Sequence, residues 1–340
     1  MRRSLNRKGS IIVLIAFILG FACEFAPAAV DFDSTNYYTA IAGNKFQANR
    51  RVTINGSVAG KELARIGISS TVTGDVFSDN RLLIRRRATL GGISYANGYL
   101  RYGSDVESGS VIGQNNVKIS HNNFINGYLS YAGKADISPT ASIANSLPAI
   151  LPSRAFVDHE MPVFGPQRSK KSTMTIDENT HLAPGNYDNI RAKRYSVIYL
   201  TAGTYNFGDF ILNRHAKIVA DSSLGDINIV VNGKYRSYRH VILDNIGEND
   251  VDIIASGNIR IGKKNDYEAN LLSGNNLNVN RDSIINGFTY SEHNTLFQRN
   301  VELNFQPAGA GSELPPAVPE PASILLLGSA GMFLARKRKP

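Results

Sequence analysis

The chain has no tryptophan and a single cysteine, Cys23, near its start. If Cys23 is lost with a leader, the mature chain forms no disulfide and no thiolate metal site. A secreted β-protein with a large core needs neither. Charged residues are only 19 % of the 340, while glycine supplies 30, which points to a turn-rich, all-β chain. No HExxH, no G-x-S-x-G elbow, no P-loop and no acidic Ca²⁺-binding nonapeptide occurs, so the common metal, nucleophile and phosphate signatures are missing. The six histidines, His121, His159, His181, His215, His240 and His293, include no pair at metal-ligand spacing and are expected at the surface or at corners.

What is abundant is apolar: 42 % of residues, enough for a packed core. The net charge is +9, and it is concentrated at the ends. Residues 1–28 contribute +3 and residues 322–340 contribute +4, which leaves +2 for everything between. The basic balance therefore does not point to a nucleic-acid partner.

Both ends have the form of addresses. MRRSLNRKG is followed by an apolar run from Ile11 to Ala22 and then by Ala26-Pro27-Ala28. This is the order of a secretory signal peptide, with cleavage by signal peptidase expected near Ala28. A lipoprotein cut at Cys23 lacks the usual Leu three residues earlier, where Gly20 stands. A pilin-type cut after Gly9 lacks the usual Glu five residues on, where Leu14 stands.

At the other end, VPEPAS (318–323) precedes ILLLGSAGMFLA (324–335) and RKRK (336–339). The apolar run is about 12 residues against roughly 20 for a relaxed span. A basic end of this kind stays on the cytoplasmic side, and the prolines keep the preceding backbone extended and accessible. The stretch resembles the PEP-CTERM sorting signal, with Pro319, Glu320 and Pro321 matching its motif and Arg336, Lys337, Arg338 and Lys339 its cytoplasmic stop. The resemblance implies a transient transmembrane anchor cut by an exosortase, a transpeptidase-like membrane protease. The same tail is found on some ice-binding proteins. An ordinary tail anchor would leave Pro-Glu-Pro without a role.

The middle is periodic. Gly56, Gly74, Gly92, Gly109 and Gly127 recur every 17–18 residues. The same register gives the columns Ala64, Leu82, Leu100, Val117, Ala135 and Ile66, Ile84, Tyr102, Ile119, Ile137. Apolar columns two residues apart mark one face of a strand. Flanking the glycines are Ile54, Val72, Leu90, Glu107, Ile125 and Val58, Val76, Ser94, Val111, Leu129, mostly apolar. The glycines are expected at a corner.

The second half keeps a looser period. It aligns Gly185 with Gly203, Tyr187 with Tyr205, and Leu182 with Leu200 and Ile218. Further on it aligns Leu243, Ile261, Val279, Phe297 and Val241, Ile259, Leu277, with a longer loop expected near 220–240. Short strands repeated once per coil predict a right-handed parallel β-solenoid of 17–18-residue rungs. The pattern is similar to the PGxY…PGTYxF rungs of secreted surface solenoids, and its rung length is similar to that of bactofilins.

The expected organisation is a signal peptide (1–28), a first solenoid half (29–145), a Pro-rich loop (146–172), a second half (173–305), a linker (306–317) and the sorting signal (318–340). Candidate chemistry is sparse. Asp244, Asp250 and Asp252, with Arg236, Arg239 and His240, are the candidates for an acid–base site on a polysaccharide-cleaving solenoid. Arg85, Arg86 and Arg87 are expected at a corner as solvated charges or as a polyanion patch. Of Tyr95, Tyr99, Tyr102, Tyr128 and Tyr131, some should pack inside, and exposed ones offer sugar-stacking surface. Only Thr71-Val72-Thr73 fits a Thr-x-Thr array, with Thr89 and Gly91 one rung on, so ice binding is not expected. The leading expectation is a non-enzymatic structural or adhesive protein, exported and associated with exopolysaccharide. A polysaccharide lyase or hydrolase and a self-associating, bactofilin-like polymer former are the rivals.

Overall fold

The computed structural model describes residues 38–148, 156, 161 and 172–305. The signal peptide with Ala26 and Ala28, the linker, Pro319-Glu320-Pro321, the apolar run and the basic end lie outside the described residues, as does His159. Among the described residues no helix is long and apolar enough to cross a membrane.

The described residues form a parallel β-solenoid of about 14 turns with a three-sided cross-section. One turn shows the logic. Thr53–Asn55 lies on a first face, Ser57–Gly60 on a second and Leu63–Ile66 on a third. Each strand pairs in parallel with its equivalent in the next turn. A single turn has no partner for its own backbone and no cover for its apolar side, so stability comes from stacking.

The inward columns of the first half stack in register. Ala64, Leu82, Leu100, Val117 and Ala135 are successive partners on the third face, as are Ile66, Ile84, Tyr102, Ile119 and Ile137. The glycine column sits at the corner between the first two faces, where Gly74 N–H donates to the Gly56 carbonyl. Gly56 has φ +138°, and a Cβ there would collide with the Thr39 side chain. The corner expected at Arg85–Arg87 is present, with all three residues exposed and Arg87 at φ 57°.

One first-half position needs correction. Ser108, not Glu107, stands in the Ile54, Val72, Leu90, Ile125 column. The turn is one residue short at its corner, so Val111 pairs with Ser94 at a step of 17 while Ser108 pairs with Leu90 at 18. Glu107 is exposed beside Thr89.

The second half departs further. Gly185 pairs with Tyr205 rather than standing over Gly203, and Tyr187 stacks on Phe207 at 5.4 Å rather than aligning with Tyr205. Leu182 stands beside Leu200, but Leu200 pairs with Ala220, and Ile218 pairs with Ile198. Ile261, Val279 and Phe297 do stack, as do Ile259 and Leu277. Leu243 belongs to another face, between Ile218 and Tyr267, and Val241 lies at a corner. The cause is a pair of long corner loops, 222–226 and 246–250, that lengthen two consecutive turns to 24 and 25 residues. The first is the longer loop expected near 220–240.

The order of the stack is not the order of the chain. Tyr38–Ala42 pairs with Thr289–Ser291, Lys45–Ala48 with Asn294–Phe297, and Thr53–Asn55 with Glu302–Asn304. The last turn of the second half therefore docks under the first turn of the first half, and the halves form one continuous stack. The chain between 148 and 172 joins opposite ends of that stack. Thirteen strands on the third face, about 4.8 Å apart, make it roughly 58 Å tall. The strand Ser142–Pro148 extends into the segment expected to be loop. It is the last strand, so Pro148 removes no ladder bond.

A second apolar column faces outward on the second face. Ile254, Leu272, Tyr290, Ile41, Ala59, Phe77, Tyr95 and Ile112 are successive partners and all are buried. Phe156 and Met161 pack against it. The Phe156 ring stacks on Phe77 at 6.4 Å with Lys61 Nζ 5.8 Å from its centroid. Two-sided burial explains why these strands (SVAG, VFS, SYA, VIG) lack polar alternation.

Candidate functional site: a basic corner

The chain leaves the third face for the first by the same turn in nearly every rung. One residue per turn takes a left-handed conformation: Tyr195, His215, His240, Lys264, Asp282, Asn300, Arg51, Ser69, Arg87, Asp105 and Asn122, with φ between 53° and 68°. Its N–H donates to the carbonyl one position earlier in the adjacent turn, as His240 does to Lys263 and Asp282 to Arg299. Behind it lies a buried small residue, for example Ser70, Val241, Asn265 or Ser283. Where that residue is polar it satisfies the neighbouring turn, as when Val241 N–H donates to Asn265 Oδ1 at 2.9 Å. Left-handed backbone is costly for a non-glycine residue. Here a hydrogen bond to the next turn fixes it every time.

This turn aligns cations. The position before the left-handed residue is, in spatial order, Arg194, Arg214, Arg239, Lys263, Arg281, Arg299 and Arg50, all exposed. Seven consecutive turns thus carry a cation in one column at about 4.8 Å spacing. The column breaks at Ile68 and resumes once, at Arg86. Among the described residues the only ion pair to a ladder member is Arg281 Nε with Asp282 Oδ2 at 3.9 Å. Such a row repels itself unless an anion lies along it.

Next to the ladder is a cleft of about 330 Å³. Arg214, Arg239, Lys263 and Arg281 line it from the corner, Lys264 from the left-handed column, and Arg236 and Arg260 from the third face. Its one carboxylate is Asp282. Rings run beside it, with Tyr195 on His215 at 5.0 Å and His215 on His240 at 4.8 Å. Desolvation, then the charges of Arg239, His215 and Lys264, holds His240 below its usual value.

Arg260 also lines a second cleft of about 370 Å³ on the third face, with Asn258, Asn276, Asn278, Asn294 and Gln47. Amides there form a ladder. Asn276 Nδ2 donates to Asn258 Oδ1 at 3.1 Å and Asn294 Nδ2 to Asn276 Oδ1 at 2.8 Å. The buried Oδ1 atoms of Asn278 and Asn294 accept no hydrogen bond among the described residues.

Carboxylates gather elsewhere. Asp244, paired with Lys217, lies on the first face with Asp266, Glu268 and Glu302. Burial and then Glu268, Asp244 and Glu302 push Asp266 upward. Asp226 and Asp250 flank the long loops at another corner, and Asp252 beside them is raised mainly by burial, with Asn270 donating to it at 2.8 Å. Asp244, Asp250 and Asp252 are absent from the cleft that holds Arg236 and Arg239, so the sequence candidates for acid–base chemistry split between corners.

Tyr102 is in the core, Tyr95 in the covered outer column, and Tyr99, Tyr128 and Tyr131 are half-buried. His181 stacks on Tyr199 at 4.4 Å, and His121 and His293 are exposed. Thr71 stands between Thr53 and Thr89 in an outward column that runs from Glu302 to Glu107, so the threonine row is three turns long.

Sequence reasoning singled out Arg239 but not the other ladder members. Lys263, Arg281 and Arg299 keep the step of 18, while Arg194, Arg214 and Arg239 follow steps of 20, 25 and 24. The sum of +2 over the middle conceals the segregation of charge.

Residues 317–339 match the model of the PEP-CTERM protein-sorting motif. No curated protein matches the chain. Two solved structures are similar to it. An ice-binding protein from an Antarctic Flavobacteriaceae bacterium is 12 % identical over 80 % of this chain and 97 % of its own, with a TM-score of 0.28. The DUF3494 domain of a Shewanella frigidimarina ice-binding protein is 12 % identical over 57 % of this chain and 92 % of its own, with a TM-score of 0.18. The sorting motif implies an exported protein, anchored in the membrane before an exosortase processes it.

Proposed function

We propose that the mature chain is a structural or adhesive protein of the cell surface or extracellular matrix, without catalytic activity, that holds exopolysaccharide on its outer surface. The observation that carries the reading is the cation column from Arg194 to Arg50, an exposed row with one weak internal counter-charge. The sorting motif supports it by delivering that row to the compartment where exopolysaccharide is found. The first test is retention of the secreted protein on exopolysaccharide isolated from the host. Co-sedimentation should be strong at low ionic strength and lost at high salt. No retention at low salt overturns the reading. The second test replaces Pro319-Glu320-Pro321 with alanines, which should leave a membrane-held, unprocessed form by mass spectrometry of both termini.

End-to-end self-association is a second reading with its own observation. Residue 38 and residue 305 both leave from the middle of the stack, at the joined turns. The outermost strands, Ser142–Pro148 at one end and Thr173–Ile176 at the other, each pair on one side only. Electron microscopy of the purified protein tests it, with filaments the expected result.

A further inference from the structure

We propose that the ligand of the basic corner is a linear, carboxylate-bearing polysaccharide of the polyuronate class. It lies parallel to the solenoid axis, with its carboxylates on the cation ladder and its hydroxyls on the amide ladder of the third face. This rests on the reading that the protein holds exopolysaccharide and goes further by naming chemistry and orientation.

The ladder has one dimension only. Its cations repeat once per turn along the axis, and the turn spacing of about 4.8 Å is close to the advance of one sugar residue in an extended polyuronate. A chain laid along the corner therefore meets a new cation at each residue, and guanidinium groups suit carboxylates. A chain laid across it meets one.

The second component sets the class. Arg260 is shared by the cationic cleft and the amide cleft, so one ligand reaching Arg260 touches both. The Oδ1 atoms of Asn278 and Asn294 are buried acceptors with no donor among the described residues. Sugar hydroxyls are donors of the kind they require, whereas a DNA backbone has none to give. Single-stranded nucleic acid also needs aromatic faces for its bases. The rings at this corner are stacked on one another at 4.8–5.0 Å, with no room for a base between them.

The test measures binding of the secreted, processed protein to oligogalacturonates of graded length, their methyl esters, and duplex DNA. Affinity for the oligogalacturonates should climb with length and level off near seven residues, one per turn of the ladder. Methyl esterification should weaken binding at least about 30-fold, and DNA should bind more weakly than the uronates at equal salt. Arg239→Gln with Arg281→Gln should lose about 10-fold or more, while Arg65→Gln with Arg101→Gln, on the same face beyond the ladder, should change affinity less than about twofold. Length-independent binding, retention of affinity by the methyl esters, or tighter binding of DNA overturns the inference. The length series uses the unaltered protein, so it decides the matter even where a variant folds poorly. Binding to host exopolysaccharide without any to the oligogalacturonates overturns this inference alone. Binding to neither overturns the exopolysaccharide reading as well.

Discussion

The hydroxyl of Tyr102 lies 2.9 Å from the hydroxyl of Ser108, and both side chains are sealed inside the coil. Tyr102 occupies a column filled by isoleucine in the turns on either side, and Ser108 one filled by Leu90 and Ile125. The large residue and the small one are thus exchanged between faces within a single turn, and the hydrogen bond satisfies the two polar atoms this introduces.

A double-mutant cycle should expose that exchange. Tyr102→Ile leaves a cavity and an orphaned Ser108, and Ser108→Val crowds and orphans Tyr102. Each should cost about 2–4 kcal/mol. The double variant restores the composition of the neighbouring turns and should recover at least about 1 kcal/mol of the sum. Urea unfolding with an unchanged m value is the measurement. Strict additivity would show that the two positions are not coupled.

Buried phenols make the fold sensitive to alkali. Burial pushes Tyr102 up to about 12, partly offset by the hydrogen bond to Ser108. Tyr235 and Tyr267, hydroxyls 2.9 Å apart in the core, are also raised mainly by burial. An unfolded tyrosine ionises near 10. The unfolded chain therefore holds fewer protons above that pH, and stability present below 10 is lost as pH rises toward 12. Phenolate absorbance from these residues should appear together with loss of the circular-dichroism signal. Ionisation well before unfolding would contradict their burial.

The joint between the halves should survive a cut in the chain. Three parallel strand pairs and the edge-to-face contact of Phe46 with Phe297, at 5.7 Å, hold it. Protein cleaved at a protease site engineered between residues 149 and 155 should migrate as one species of unchanged size on gel filtration. Phe297→Ala should destabilise the intact protein by about 3–5 kcal/mol and allow the cleaved halves to separate. Separation of the cleaved wild-type halves would show that the joint depends on the connection.

How much of this was legible beforehand follows from where the period holds. From Gly56 to Ile137 every turn has 17 or 18 residues, so Ile66, Ile84, Ile119 and Ile137 could be stacked by counting. Counting fails at 222–226 and 246–250, because corner loops grow without disturbing the strands they join. Leu243 then falls on a different face from Ile261. The docking of Tyr38–Ala42 on Thr289–Ser291 could not be counted either, since any free turn presents the same unpaired backbone to any other. The ladder combined both difficulties. Arg50 and Arg299 are neighbours only across the joint, and Arg214 and Arg239 only across an insertion.

His240 should make polyanion binding depend on pH. Its ring stacks on His215 at 4.8 Å, next to Arg239 and Lys264 in the ladder corner. Desolvation first, and then the positive charges of Arg239, His215 and Lys264, disfavours its protonated form. An unfolded imidazole ionises near 6.5, so as pH falls below that value the unfolded chain takes up the proton more readily and the free protein loses stability. A polyanion along the ladder reverses the local charge and favours protonated His240. Binding must then take up a proton, and affinity should increase as pH falls from 7 to 5 by about 3-fold or more. In His240→Gln that increase should shrink while affinity at pH 7 stays within about twofold, because the cation column is untouched. A pH profile identical in the two proteins would show that His240 lies outside the field of the bound chain.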